Sequence, residues 1–293
     1  MFGFLNVNKP AGPTSFAVVA GVRRRAGRKI KVGHAGTLDP FARGVLVICL
    51  GPATRLASYV QAAPKRYLAT ITLGATSATD DVEGPITPNP KAEPPAEPVV
   101  RNAAGRFVGP IQQVPPAFSA VHVDGRRAYK LARKGRTPDL PARGVTVHAI
   151  DVVRYAWPLL EIDVRCGSGT YIRSLARDVG AALGVGGYCS SLTRTEVGPF
   201  TLAHAVDLDE ADPAGHIVKP LVALAGMPTM TLDEAQAARI AVGQAVTREA
   251  SIASGLPRSG EIALIGTTGG LLAIGELSFN GRSVRPMKVF VTR

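Results

Sequence analysis

The sequence has few of the residues from which membrane spans, disulfides and metal sites are built. No apolar run approaches the roughly 20 residues that a transmembrane helix needs, and residues 1–6 lack the basic start and cleavage site of a signal peptide. The three cysteines, Cys49, Cys166 and Cys189, are far apart, odd in number and outside any C-x-x-C pair. No histidine pair has metal-ligand spacing. We therefore expect a cytoplasmic protein with buried, unpaired thiols and no bound metal.

Acidic residues are also in short supply. The chain has 22 Asp and Glu against 34 Lys and Arg, a formal net charge of +12. Such an excess favours a polyanionic partner, with nucleic acid first and a membrane surface second; an inert basic surface is the alternative. The apolar fraction of 46% over 293 residues predicts a packed core, enough for one large domain and a small one.

One stretch, GHAGTLDP at residues 33–40, carries a single carboxylate between glycine-marked turns and a proline. The apolar run at 45–50 follows it and ends at Gly51, which predicts a buried strand. Asp39 would then lie on a loop that leads into core structure, a common position for a reactive side chain. The alternative is an aspartate that only closes a turn, as Asp-Pro often does.

Three neighbouring motifs favour a functional aspartate over that alternative: NKPAGPTS at 8–15, GVL at 44–46 and GPATR at 51–55. Together with residues 33–40 they resemble the bacterial TruB family of tRNA pseudouridine(55) synthases. The resemblance implies that Asp39 is the catalytic residue and that Lys9 of the first motif binds substrate. It also implies an α+β fold, the pseudouridine-synthase fold, with a mixed, mainly antiparallel central sheet flanked by helices and loops.

Residues 66–74 alternate as a half-buried strand does, with Tyr67, Ala69, Ile71 and Leu73 on the more apolar face. Tyr67 should therefore face the interior or a cleft. From the residues alone, an ordinary core tyrosine is the alternative. The resemblance implies that Tyr67 stacks on the target base, which suits a nucleotide flipped out of its stack.

A helix is predicted from about Thr170 to Gly184, with Arg173 in its first turn and off its apolar stripe. An arginine at a helix N-terminus is unfavourable to the helix dipole, so a carboxylate should hold it. The resemblance makes that carboxylate Asp39, which Arg173 would keep ionised. The alternative is a surface arginine that pairs with Asp178 or with solvent.

Further pocket residues follow from the resemblance. It places Tyr171 beside the active site and has Leu192 line the pocket. His34 would pack near the flipped base or in the gap that the base leaves, although a lone histidine is as readily structural. The predicted catalytic set is Asp39, Tyr67 and Arg173, and the predicted substrate-binding set is His34, Tyr171, Leu192 and Lys9.

Two segments are candidates for RNA contact. Thr14 or Ser15 can cap a helix whose apolar positions include Phe16, Val19 and Ala20, and which runs into the basic residues of 23–31. That run leads to the loop of Asp39, so we expect it to contact phosphates; a solvated charged face is the alternative.

The second segment, about 113–143, resembles the RNA-gripping insertion of the family. A turn is predicted at Asp124-Gly125 and a short basic helix over 128–134. The family usually has Tyr and Lys where this chain has Phe118 and His122. We therefore do not carry polar contacts of those two side chains over to this protein.

Residues 75–98 hold a Thr/Asp/Gly stretch and six prolines, which predicts an exposed, partly polyproline loop. A similar stretch occurs in the family, yet nothing in this segment indicates chemistry.

A small domain is expected after about residue 228. Thr231 and Glu234 predict a capping box for a helix to about Val242, and Asn280-Gly281 predicts a hairpin turn. The region resembles a PUA-like RNA-binding β domain, so residues 1–228 are assigned to catalysis and 229–293 to RNA binding.

The resemblance, together with the basic charge, implies an enzyme that isomerises a uridine in the T-loop of tRNA after flipping the base, with no cofactor. Breaking the C1′–N1 bond and rejoining the uracil through C5 needs no energy source. Asp39 could add to the sugar or the base, or abstract the C2′ proton. We expect a monomer that binds the T stem-loop without an obligate protein partner. The alternatives are a non-catalytic RNA-binding or RNA-folding protein and a guide-RNA-dependent, dyskerin-like synthase.

Overall fold

The computed structural model describes residues 1–119, 122–123, 126–128, 131, 139–247, 259–278 and 282–291. Three predicted features lie wholly or mostly outside these residues: the turn at Asp124-Gly125, the hairpin turn at Asn280-Gly281 and the basic helix over 128–134.

The described chain is rich in strands and has few helices. In chain order the strands are β1 (Gly3–Lys9), β2 (Val32–His34), β3 (Arg43–Leu50), β4 (Lys65–Leu73), β5 (Ala75–Ser77), β6 (Ile86–Pro88), β7 (Gly109–Gln113), β8 (His122–Val123), β9 (Arg126–Arg127), β10 (Arg143–Ala156), β11 (Leu159–Cys166), β12 (Gly187–Val197), β13 (Phe200–Thr201), β14 (Val206–Asp207), β15 (Thr229–Leu232), β16 (Val246–Thr247), β17 (Gly260–Gly266), β18 (Leu271–Leu277) and β19 (Ser283–Val289). The helices are α1 (Ser15–Ala26), α2 (Ala57–Ala62), α3 (Glu97–Gly105), α4 (Ile172–Ala182) and α5 (Glu234–Ala241), with 3₁₀ turns at Gly51–Leu56, Leu202–His204 and Pro220–Leu224.

A large mixed sheet organises the first two thirds of the chain. Its order is β14-β1-β3-β12-β4-β11-β10-β7, with β2 beside β3 and β13 beside β12. The β1–β14 and β3–β12 pairs are parallel, and the other pairs are antiparallel. This confirms the predicted mixed, mainly antiparallel sheet of an α+β fold.

The central strands follow the predicted patterns. The run after Asp39 forms β3, whose residues 44–50 are all buried. In β4 the predicted inward face, from Tyr67 to Leu73 at every second position, is buried, while Leu68 on the other face is 45% exposed. Two buried central strands therefore flank β12, which carries further residues of the site.

Helix α1 begins after Thr14, whose hydroxyl accepts a hydrogen bond from Ala17 N (3.1 Å), as an N-cap should. Its buried residues are Ser15, Val18, Val19 and Val22. Phe16 was assigned to the apolar face, and that assignment is wrong: its side chain is 70% exposed. The buried stripe runs at spacings of three and four from Ser15, so Phe16 lies about 100° round the helix from it.

Helix α4 matches the prediction closely. It runs over Ile172–Ala182, and Gly184 after it has φ of 73°, the left-handed conformation that ends helices. Arg173 lies in its first turn, as expected, but it is buried.

The second sheet has the order β15-β17-β18-β19-β16 and forms the C-terminal part of the described chain. The predicted capping box is wrong in its residues. Asp233 caps α5 by accepting from Gln236 N (2.7 Å), and the Gln236 side chain accepts from Asp233 N (3.1 Å). Thr231 instead lies in β15, and Glu234 is the first helical residue.

The two sheets share an interface. Phe290 stacks on Phe2 with ring centroids 5.1 Å apart, and the Arg55 guanidinium lies 5.1 Å from the Phe290 centroid. Tyr59 of α2 donates to Glu261 Oε1 of β17 (3.0 Å). Apolar residues of both sheets belong to one buried cluster, so α2 and the turn before it join the second sheet to the first. No helix in the described part of the chain is long and apolar enough to cross a bilayer.

Candidate active site

A cleft of about 1220 Å³ lies on the first sheet and is the place where most predicted site residues meet. Its walls come from residues 14–16, 34, 36–40, 61–62, 65, 67, 79, 81, 83, 118–119, 167–173, 192 and 194. Across the described residues, no group of three or more His, Cys, Asp and Glu side chains is arranged as a metal site requires.

The Asp39 loop is held from one side by the chain segment that precedes it. Ser15 Oγ donates to Leu38 O (2.8 Å) and accepts from Leu38 N (2.9 Å), both within the buried interior. Gly12 N donates to Pro40 O (2.8 Å). The residues on either side of Asp39 are therefore fixed, and its own carboxylate, 32% exposed, faces the cleft.

Arg173 pairs with Asp39, the carboxylate that the resemblance implied for the partner expected from the helix dipole. Its Nε lies 2.9 Å from Asp39 Oδ2, with poor hydrogen-bond geometry, and its Nη2 donates to Asp39 Oδ1 (3.2 Å). Only 4% of the side chain is exposed. Burial opposes the charge, yet the carboxylates of Asp39 and Asp81 raise the pKa of Arg173. The alternative pairing with Asp178 is absent, because Asp178 pairs with Arg177 (2.9 Å).

Asp81 is a site residue that the sequence did not reveal. Its Oδ2 lies 3.1 Å from Arg173 Nη1, and its side chain is only 3% exposed. Oδ1 accepts from Thr79 Oγ1 and from Glu83 N. The expectation that residues 75–98 hold nothing relevant to chemistry is therefore wrong. Two carboxylates share one guanidinium, and Asp81 fixes its far side.

Arg194 of β12 is the second residue that the sequence did not reveal. It is 2% exposed and donates to three backbone carbonyls: Val45 (2.8 Å), Thr37 (3.1 Å) and Gly36 (3.3 Å). Two of these carbonyls belong to the loop of Asp39, so Arg194 holds the loop from the side opposite Ser15. We regard Arg194 as a positioning residue.

Gly44 shows how closely the backbone approaches Arg194. An added Cβ would lie 2.2 Å from Arg194 O, and φ at Gly44 is +98°, a value that side chains rarely tolerate. Gly44 and Arg194 are also register partners in the parallel β3–β12 pair. A glycine at this point of the GVL motif therefore lets the strand after Asp39 join β12.

Replacing Arg194 with methionine is expected to lower the free energy of unfolding by about 3–5 kcal/mol. A hydrogen bond from a charged donor contributes about 1.5–3 kcal/mol, and the three bonds are not independent. Urea unfolding measures the change. The matched control is Arg66→Met on the outer face of β4, whose guanidinium is 36% exposed and pairs with Asp163 and Glu196; a solvent-accessible ion pair contributes about 1 kcal/mol or less, so the loss should be smaller. Equal losses in the two variants would contradict the role given to Arg194.

Tyr67, Leu192, Tyr171 and His34 all line the cleft, as predicted. Burial raises the pKa of Tyr67, with Arg194 partly opposing, so its phenol stays protonated near neutral pH. Burial, followed by the charge of Arg194, lowers the pKa of His34, which favours neutral imidazole. The Nδ1 atom of His34 is buried and has no hydrogen-bond partner among the described residues.

Tyr171 is placed by a buried glutamine. Gln113 Oε1 accepts from Tyr171 N (2.8 Å), and Gln113 Nε2 donates to Tyr171 O (3.1 Å). This pair of bonds fixes the backbone directly before α4 and hence the direction in which Arg173 leaves the helix.

Lys9 does not join the cleft residues. Its side chain is fully buried, and Nζ donates to Pro10 O (2.7 Å) and Pro40 O (3.1 Å). Burial lowers the pKa of Lys9 to about 8. In this structure Lys9 supports the end of the Asp39 loop and presents no surface to a substrate.

The basic residues in the last turn of α1 and just after it divide into two kinds. Arg23 donates to Val32 O (3.1 Å), and Arg25 donates to Ala211 O (3.2 Å). Arg24, like residues 28, 29 and 31, is exposed. Part of the run thus holds the fold together, and the remainder is placed to meet solvent or a ligand.

Phe118, at the start of the predicted insertion, contributes to the site through its backbone. Its carbonyl oxygen accepts from Arg173 Nη2 (3.1 Å), a contact that needs no polar side chain. The His122 side chain is outside the described part of the structure.

Comparison with known proteins agrees with this fold. Residues 23–172 match the family model "TruB family pseudouridylate synthase (N terminal domain)", and residues 173–219 match "tRNA pseudouridylate synthase B C-terminal domain". The chain is 45% identical to tRNA pseudouridine synthase B of Thermobifida fusca (strain YX) over 98% of each sequence. It is 43% identical to the enzyme of Leifsonia xyli subsp. xyli (strain CTCB07), over 98% of this chain and 96% of that one.

Solved structures with a similar fold include two complexes. A Cbf5-Nop10-Gar1 complex contains a chain that matches with a TM-score of 0.76 and 29% identity, over 100% of this chain and 86% of that one. An H/ACA RNP bound to a substrate RNA that contains 2′-deoxyuridine matches with a TM-score of 0.74 and 26% identity, over the same shares. The fold, with an aspartate and an arginine paired in its cleft, defines a pseudouridine synthase, an isomerase. The chain belongs to the TruB family of tRNA pseudouridine synthases.

Proposed function

We propose that the protein isomerises uridine 55 in the T-loop of tRNA, with Asp39 as the catalytic residue and without a cofactor. The observation that carries the proposal is the Asp39–Arg173 pair: a partly exposed carboxylate bound to a buried guanidinium in a cleft wide enough for a nucleotide. Tyr67 and Leu192 line the same cleft and supply a ring and an apolar wall for the uracil.

The reaction requires from the protein a charged group that is held in the correct position. The C1′–N1 bond breaks, the uracil turns, a C1′–C5 bond forms, C5 loses its proton and N1 gains one, so the atoms balance without a co-reactant. The Asp39 carboxylate can add to the sugar or base, or take the C2′ proton, and each role needs it ionised. Ser15, Arg194 and Arg173 hold it in place for that step.

The proposal divides the work between two parts of the chain. Residues 1–228 carry catalysis, with an RNA-gripping insertion at about 113–143, and residues 229–293 form a PUA-like RNA-binding domain. The small sheet that begins at Thr229 and its fixed attachment to α2 support this division. We further propose that the protein acts as a monomer in the cytoplasm on the T stem-loop, without an obligate protein partner.

The test uses an unmodified tRNA transcript with tritium at C5 of its uridines. We expect release of one tritium per tRNA from the protein alone, unchanged by a chelator. A transcript with cytidine at position 55 is the matched control and should release none. Release from the control at the normal rate, or no release from the parent transcript, would contradict the proposal.

A guide-RNA-dependent activity is the second candidate, because the solved structures that resemble this chain include H/ACA complexes. The 45% identity to a protein named tRNA pseudouridine synthase B, against 26–29% to the chains in those complexes, favours the first candidate. Turnover of a bare transcript separates the two, since a guide-dependent enzyme would need added RNA.

Binding of tRNA is expected to weaken steeply with salt, by about 0.7–0.9 log units of affinity per log unit of salt for each phosphate contact. Arg24→Gln on the exposed side of α1 should reduce this slope by about one contact. Arg25→Gln is the control, because that guanidinium already donates to backbone carbonyls. Filter binding at several salt concentrations measures the slope, and a flat profile would argue against phosphate contact by the basic run.

A further inference from the structure

We propose that Phe16 forms a second base-binding subsite at the mouth of the cleft, where a nucleobase of the RNA other than the target uracil stacks on its ring. The inference rests on the proposed function, because its ligand is the substrate of the same cleft. Phe16 belongs to none of the motifs on which the family resemblance rests.

The position of Phe16 is unusual for a large apolar side chain. It is 70% exposed and lies on the wall of the cleft that holds Asp39. Within the described residues, no aromatic ring and no cation stacks against it. The Phe16 ring is therefore largely exposed at the wall of the cavity.

Phe16 is also fixed relative to the reacting carboxylate. Its neighbour Ser15 makes two hydrogen bonds with the backbone of Leu38, the residue directly before Asp39. Thr14, the residue before Ser15, caps the helix. A base stacked on Phe16 would thus hold the RNA at a set distance from Asp39, which is what a positioning contact requires.

The size of the cleft leaves room for this second base. Its volume of about 1220 Å³ exceeds the roughly 300–1,000 Å³ of pockets that enclose a drug-sized ligand. Tyr67 and Leu192 already account for the surroundings of the target uracil. Stacking on an aromatic ring is sequence-tolerant because every base has a π face, so the structure assigns a nucleobase as the ligand but not its identity.

The test is a double-mutant cycle in which the protein and the RNA are changed separately and together, and the binding affinity is measured for each combination. All proteins carry Asp39→Asn, so that nothing is turned over, and each T stem-loop RNA lacks the base at one loop position. Phe16→Ala is expected to weaken binding of the intact RNA about 5- to 150-fold, which corresponds to about 1–3 kcal/mol. At one loop position other than the target, the loss of affinity from Phe16→Ala and the loss from removing the base should not add, because both changes remove the same stacking contact. Phe16→Trp should restore tight binding.

Val153→Ala is the matched control, since Val153 is 59% exposed but lies on β10 away from the cleft; it should bind every RNA as the parent does. The inference is overturned if the losses are additive at every loop position, or if Phe16→Ala binds the intact RNA as tightly as the parent. Tritium release by the unchanged protein is measured in parallel. Its absence would refute the proposed reaction alone, whereas additive losses with normal release would refute the subsite alone.

Discussion

Asp39→Asn is expected to reduce pseudouridine formation by at least about 10³-fold while tRNA affinity stays largely unchanged. The amide has nearly the same shape as the carboxylate, so the cleft and its contacts persist, but the charge that the reaction uses is lost. Single-turnover tritium release measures the first quantity and filter binding the second. A loss of this size in the rate, without a matching loss in binding, is the signature of a group that acts on the reacting atoms.

Asp163→Asn is the matched control for this variant. Asp163 also binds an arginine, with Arg66 Nη2 2.7 Å from its Oδ2, but the pair lies outside the cleft. We expect a normal rate from it. If Asp39→Asn turned over substrate as fast as Asp163→Asn does, the catalytic role of Asp39 would have to be abandoned.

Arg173→Met is expected to abolish turnover and also to lower the free energy of unfolding by about 3–5 kcal/mol. The arginine neutralises two carboxylates, and Asp81 is 3% exposed, so its charge would be left buried without a partner. The carboxylate of Asp39, which is 32% exposed, can be solvated by water instead. Urea unfolding together with single-turnover kinetics measures both effects.

A double variant separates the two effects. Adding Asp81→Asn to Arg173→Met removes the unpaired charge, so most of the lost stability should return while the enzyme stays inactive. Recovery of activity in the double variant would show that Arg173 serves the fold only. No recovery of stability would show that the orphaned Asp81 is not the cause of the loss.

A carboxylate partner for Arg173 was predictable from local features, and the family resemblance implied that this partner is Asp39. An arginine in the first turn of a helix opposes the dipole, and that conflict indicates a carboxylate partner. The alternation of β4 similarly predicted which face Tyr67 occupies. Both signals lie within about ten residues of sequence, the range over which periodicity carries information.

Asp81 and Arg194 were not predictable, because their roles depend on distant contacts. Asp81 lies in a proline-rich segment whose sequence predicts exposure to solvent. Only the structure shows that it is buried and paired with Arg173. Arg194 interrupts a strand where a charged residue ordinarily faces water; its three acceptors come from residues about 150 positions earlier. The sequence contains no periodic signal for either contact.

The misplaced capping box has a different cause. The segment TLDEAQ at 231–236 contains two overlapping candidates, Thr231 with Glu234 and Asp233 with Gln236. Parallel pairing of β15 with β17 places Thr231 opposite Ile265 and keeps it extended, so the helix starts after Asp233. Strand pairing, which is not local, decided between two equal local signals.

Arg173 joins more than a catalytic pair. Besides its two carboxylates it donates to Thr79 O (2.9 Å) and Phe118 O (3.1 Å), so three separate stretches of chain, at residues 39, 79–81 and 118, are bound by one side chain. Phe118 stands at the root of the segment that is proposed to grip RNA. Because Arg173 donates to Phe118 O and also pairs with Asp39, the backbone at the start of that segment and the carboxylate of the cleft share one anchor.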